Sequence, residues 1–152
     1  MTEYPLELRF HHVGFVVTDI TSSMAGFLHS LMAKWDGQIY EDPLQQVKVA
    51  FLTTFPGDGL IELVQPMGES SPVSRFLAQR HGGLHHVCYE VKNLEACLTS
   101  MKTRGSRLVK RPKPAVAFQQ RRIAWMLTAE NLLVEFLERE TVPASAESGS
   151  ST

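Results

Sequence analysis

Two short runs dense in β-branched and aromatic residues, 10–17 and 84–91, open two stretches of chain that read alike. After the first run Asp19 offers an N-cap, and Ile20, Met24, Phe27, Leu28 and Leu31 recur at the spacing of one helical face. After the second run Asn93 takes the capping place, and Leu94, Cys97, Leu98 and Met101 follow at the same spacing. Each predicted helix is followed by two apolar runs of strand length, 48–53 and 60–64 in one case, 122–127 and 132–137 in the other. Gly57-Asp58-Gly59 turns the chain between the first pair, and residues 128–131 do so between the second. Residues 38–41 and 107–110 supply one more strand each. The unit is strand, helix, strand, strand, strand, and it occurs twice.

The two halves also match residue for residue. His12-Val13-Gly14-Phe15-Val16-Val17 falls over His86-Val87-Cys88-Tyr89-Glu90-Val91, an offset of 74. At that offset Val49-Ala50-Phe51-Leu52 falls over Ile123-Ala124-Trp125-Met126. One residue is then lost, and Ile61-Glu62-Leu63-Val64 falls over Val134-Glu135-Phe136-Leu137. General strand composition explains the matched Val and Ile, but not a paired His and a paired Glu.

Between the halves, Ser70-Ser71-Pro72 is expected to start a linker helix, with proline where its missing N–H is harmless. Val73, Phe76 and Leu77 would face inward, and Gly82-Gly83 would end it. The expected fold class is α+β: two βαβββ modules, about 10–66 and 84–138, joined by the segment 67–83. They form one cupped, mixed β-sheet with the helices outside, in a single domain over 8–140. The end of the chain, 141–152, is small and polar from Pro143 onward, and is expected to be a disordered tail.

Composition narrows the function classes. A chain of 152 residues with net charge -1 and no basic cluster gives no case for nucleic acid or an anionic membrane. No apolar run approaches the ~18 residues of a membrane span, and residues 1–9 lack a signal-peptide core. Cys88 and Cys97 are too few for a disulfide framework and lack the CxxC spacing, so a reducing, cytoplasmic setting is expected.

The paired residues carry the candidate chemistry. Alternate side chains of a strand face one side. Each half therefore sets one His at the head of its first strand and one Glu in its last. If the halves pack about a pseudo-twofold axis, His12, Glu62, His86 and Glu135 converge on the floor of the cup. Glu62 and Glu135 stand between apolar neighbours, and a carboxylate there must either face solvent or, if buried, meet a cation. Two imidazoles with two carboxylates suit one divalent ion, and such sites accept Co, Ni, Mn, Mg or Zn. His11 and His85 are expected to point to the opposite side of their strands.

From residue 10 to 138 these features resemble the vicinal-oxygen-chelate superfamily, which includes glyoxalase I, methylmalonyl-CoA epimerase and ring-cleaving dioxygenases. Ile61-Glu62-Leu63-Val64-Gln65-Pro66, Ser71-Pro72-Val73-Ser74-Arg75-Phe76-Leu77 and Gly83-Leu84-His85-His86-Val87 are most similar to the methylmalonyl-CoA epimerases. The chain departs from them where Gln119 replaces a loop histidine, where Leu127-Thr128-Ala129 replaces a His-Pro-Lys turn, and where Val49 aligns with a strand glutamate. The resemblance implies a homodimeric, metal-dependent isomerase or epimerase acting through an enolate on an acyl thioester. Glu135 or Glu62 would serve as the base, Gln46, Gln119 and Arg121 would orient the substrate, and Cys88 would line the pocket. The alternatives are a glyoxalase-I-like lyase on a thiol adduct and a non-catalytic small-molecule-binding protein of the same fold.

Overall fold

The computed structural model describes residues 5–140, and the tail expected over 141–152 lies outside them. Module 1 contains β1 (Arg9–Val16), α1 (Ile20–Leu31), β2 (Lys34–Trp35), β3 (Tyr40–Asp42), β4 (Val47–Thr53) and β5 (Leu60–Pro66). The linker helix α2 (Ser74–Arg80) leads into module 2: β6 (Gly83–Val91), α3 (Leu94–Thr103), β7 (Arg107–Pro114), β8 (Arg122–Leu127) and β9 (Leu133–Glu138). The strands form one mixed sheet in the order β2-β4-β5-β1-β6-β9-β8-β7, with β3 also paired to β4. At its centre β1 and β6 run antiparallel, β5 lies parallel to β1, and β9 lies parallel to β6. The module seam therefore runs between the two histidine strands. Among the described residues no helix is long and apolar enough to cross a membrane.

Both predicted caps form. Asp19 Oδ1 accepts from the Ser22 N–H at 2.8 Å, and Asn93 Oδ1 accepts from the Ala96 N–H at 2.9 Å. Each such cap stabilises its helix by about 1 kcal/mol. The helices then bury equivalent faces on the same side of the sheet. Ile20 and Met24 of α1 pack on Ala50, Leu52 and Leu63, while Leu94 and Leu98 of α3 pack on Ala124, Met126 and Phe136. With both helices on one side, the other side of the sheet is left to form the cup.

Two local features differ from expectation. The second strand of module 1 is broken into β2 and β3. Trp35 Nε1 donates to the Gln38 carbonyl and Asp36 Oδ1 accepts from the Gln38 N–H, both at 2.9 Å, folding the chain into a turn. Helix α2 begins at Ser74, not at residues 70–72. Ser74 Oγ donates to the Gly68 carbonyl at 2.7 Å and its N–H to that of Ser71 at 3.1 Å, so residues 68–74 close on themselves first. After α2 a glycine is required at position 82, because a Cβ there would stand 2.8 Å from the Val16 carbonyl oxygen.

A polar strap ties the modules together over the cup. Asp42 is 3% exposed. Its Oδ1 accepts from the Gln45 N–H and its Oδ2 from the Val116 N–H, each at 3.0 Å. Gln45 Nε2 in turn donates to the Pro114 carbonyl at 3.4 Å. Replacing Asp42 by Ala strands two backbone donors, one in each module. The variant is expected to be roughly 1–3 kcal/mol less stable in urea denaturation. An unchanged midpoint would remove the strap from the forces holding the modules together.

Candidate active site

Four side chains meet at the seam. His12 projects from β1 and His86 from β6, the two central strands, while Glu62 of β5 and Glu135 of β9 flank them. All four are buried, His12 completely. His12 Nε2 lies 3.2 Å from His86 Nε2, 3.5 Å from Glu62 Oε1 and 3.4 Å from Glu135 Oε1, and His86 Nε2 lies 3.4 Å from Glu62 Oε1. The structure thus brings together all four residues that the repeat singled out.

Aromatic packing fixes the ring planes. His12 stacks on Phe118 at 5.9 Å, and His86 meets Trp125 edge-on at 4.6 Å. Gly14 leaves the room for His86, since a Cβ built there would stand 2.0 Å from His86 Cε1. The strand pattern did not show that requirement, although Gly14 faces His86 directly across the β1–β6 ladder.

Burial and charge make the two carboxylates unequal. Burial works to raise both, but His12 and His86 outweigh it at Glu62 and hold that carboxyl well below the usual range. At Glu135 burial prevails and Glu62 adds repulsion, so its affinity for a proton rises. Burial also opposes charge on His12, yet the facing Glu62 and Glu135 raise its pKa.

The donor set fits a divalent ion. Two imidazole nitrogens and two carboxylate oxygens point at one another across 3.2–3.5 Å contacts, the spacing of ligands with bonds of about 2.0–2.2 Å. Glu135 Oε1 is buried and accepts no hydrogen bond among the described residues. An orphaned carboxylate oxygen in such a place is costly unless a cation meets it.

The strand geometry corrects one expectation. His11 and His85 do not point away from the site. The β1–β6 register slips between Phe10 and His12, where His11 is the extra residue of β1, and between His86 and Leu84, where His85 is the extra residue of β6, so each strand carries a bulge at its extra histidine. The bulge turns that residue beside its neighbour: His11 Nδ1 lies 2.8 Å from His12 Nδ1, and His85 Nδ1 lies 2.9 Å from His86 Nδ1. Burial, followed by the neighbouring histidine, pushes both His11 and His85 down to about 4, so both are neutral at physiological pH. The HH pairs at equivalent repeat positions were the available signal.

A cavity of about 160 Å³ opens onto the cluster from the cup side. Glu62, His86, Glu135 and His85 reach it, and apolar groups such as Val49, Val64, Phe118, Ile123 and Trp125 form most of the remaining wall. Asp42, Gln45 and Lys110 are its further polar groups. Of the residues expected to contact substrate, Gln46 turns to Ser70, with Nε2 3.2 Å from Oγ, and it is Gln45 that lines the cavity. Gln119 is exposed in a left-handed turn at φ 56°. Arg121 donates to the Phe118 carbonyl at 3.2 Å and lies outside the lining. Cys88 shares the cup face but is sealed among Ala115, Phe118, Ile123 and Leu137, where burial and then Glu135 push its thiol up.

Comparison with known proteins agrees with this architecture. The sequence profile of the Glyoxalase/Bleomycin resistance protein/Dioxygenase superfamily matches residues 11–125, and the chain belongs to that family. Within it, the chain is 34% identical over 109 residues to an ethylmalonyl-CoA/methylmalonyl-CoA epimerase of Cereibacter sphaeroides, covering 71% of this chain and 79% of that one. It is 31% identical over 102 residues to the mitochondrial methylmalonyl-CoA epimerase of Bos taurus, covering 66% of this chain and 57% of that longer protein. The crystal structure of methylmalonyl-CoA epimerase from Mycobacterium tuberculosis shares the fold, with a TM-score of 0.80 over 92% of this chain and 94% of that one at 23% identity.

Gly14→Ala tests the packing that sets the site. The added methyl must displace the His86 ring, and the variant is expected to bind Zn(II) at least ~10-fold more weakly in chelator competition while remaining folded. Wild-type affinity in a folded variant would show that His86 is not held as described.

Proposed function

We propose that this chain is a divalent-metal-dependent epimerase that moves a proton at the carbon alpha to an acyl thioester. The observation carrying the proposal is the convergence of two imidazoles and two buried carboxylates, one of them orphaned, on an apolar cavity. The similarity to epimerases of methylmalonyl-CoA supplies the substrate class. His12, Glu62, His86 and Glu135 would hold the ion, and when bound it supplies a Lewis acid that stabilises negative charge on the substrate.

The protein's own groups divide the remaining work. Glu62, with its proton affinity depressed, stays charged and serves as a ligand only. Glu135, whose proton affinity burial raises, is the better matched base for the alpha proton. Because the cavity wall is largely apolar, it limits the water that would otherwise screen the developing charge. Gln45, Lys110 and His85 are the polar groups left to orient the acyl and thioester oxygens.

Incubation in deuterated water with metal and a 2-substituted malonyl thioester tests the chemistry. The expected result is deuterium at the alpha carbon, which mass spectrometry reads directly. Because Gln119 stands where the related epimerases carry a loop histidine, exchange is expected to be faster with another acyl thioester than with methylmalonyl-CoA. Absence of exchange across a panel of acyl-CoA and acyl-pantetheine thioesters, with metal bound, would contradict the proposal. Conversion of a glutathione hemithioacetal to its thioester would replace it with a lyase.

A further inference from the structure

The two histidine pairs at the seam are alike in their first contact and unlike in their second. His12 and His86 each direct Nε2 into the four-residue cluster, and each has its Nδ1 against the Nδ1 of the bulged histidine beside it. Behind His11, however, stands a carboxylate: His11 Nε2 lies 3.7 Å from Glu90 Oε1, an electrostatic contact longer than a hydrogen bond. Arg121 Nη1 lies 3.6 Å from the same oxygen and anchors it. Among the described residues no carboxylate forms an ion pair with His85. Its ring packs edge-on against Phe76 at 4.9 Å and borders the cavity. The repeat explains the difference, because the residue equivalent to Glu90 in module 1 is Val16, and Val16 is completely buried among apolar side chains.

From this arrangement we propose that His11 and Glu90 are positioning residues for the ligand His12, forming a Glu90–His11–His12 relay that crosses from module 2 to module 1. The proposal rests on the metal reading above and adds residues that this reading does not use. The proton inventory closes in only one way. A ligand imidazole must present the lone pair of Nε2, so its proton sits on Nδ1. That N–H donates to Nδ1 of His11, which must then carry its own proton on Nε2, the atom facing Glu90. The carboxylate favours that tautomer, and so raises the basicity of His12 at one remove. Arg121, which lies outside the cavity, thereby contributes to the site by fixing Glu90.

The test uses the full chain, with Zn(II) affinity measured by competition against a chromophoric chelator and ring tautomers read by long-range proton–nitrogen-15 correlation. In the Zn(II)-loaded protein the His12 proton is expected on Nδ1. His11→Phe, which removes the acceptor but keeps a ring in the pocket, is expected to weaken Zn(II) binding about 10- to 100-fold. His11→Asn restores an acceptor oxygen where Nδ1 stood, and is expected to recover most of that loss. Glu90→Gln is expected to fall between wild type and His11→Phe. The inference is overturned if the His12 proton is found on Nε2, if His11→Phe binds Zn(II) as the wild type does, or if His11→Asn fails as badly as His11→Phe. It is also overturned if a second Zn(II) binds and is lost in Cys88→Ser, because His11, His12 and Cys88 would then be ligands of their own site. A wild-type protein with no Zn(II) affinity would overturn the metal reading instead, and the His12 tautomer in metal-free protein at alkaline pH would still decide the relay.

Discussion

Two carboxylates and two imidazoles lie buried side by side at the floor of the cup, and the rest of the molecule is organised around that burial. A charged carboxylate moved into an apolar interior without a partner loses several kcal/mol of hydration. Here Glu62 and Glu135 are each less than 5% exposed, and among the described residues no lysine or arginine pairs with either. Their partners are His12 and His86, and the Oε1 of Glu135 remains without a hydrogen bond. The divalent cation proposed above would meet both carboxylates at once.

The repeat is what makes the arrangement accessible to so short a chain. Each module by itself supplies one imidazole and one carboxylate on one face of its strands, too few ligands to enclose an ion. Pairing β1 with β6 at the seam doubles the set and places the histidines face to face. Both helices pack on the opposite side of the sheet, so the cup stays open except where Asp42 and Gln45 bridge to residues 114–116. The same seam carries the bulges that set His11 beside His12 and His85 beside His86. Fold, site and access to it follow from one pseudo-symmetric pairing.

Much of this was legible in the residues alone. The two helices, their Asp19 and Asn93 caps and the convergence of His12, Glu62, His86 and Glu135 all rest on local periodicity or on matched positions in the repeat, and these survive folding unchanged. What periodicity misses is a change in its own phase. A bulge inserts one residue into a strand and turns His11 and His85 to the side that strict alternation denies them. The same limit applies at residues 45 and 46, where a left-handed Gln46 at φ 58° makes Gln45 the cavity residue. The broken second strand of module 1 and the late start of α2 depend on side-chain bonds from Trp35, Asp36 and Ser74, which leave no periodic trace. Space for a ring is equally silent in a sequence, and the demand that His86 makes on Gly14 becomes visible only with the strands in register.

The central claim is that one ion is held by residues from both modules through nitrogen and oxygen alone. X-ray absorption at the metal edge of the Co(II)- or Zn(II)-loaded protein tests it most directly, because it reads the donor atoms themselves. The account predicts two imidazole nitrogens, from His12 and His86, with the remaining shell made of oxygen. A sulfur scatterer, which would bring in Cys88, or a shell with fewer than two imidazoles would contradict it.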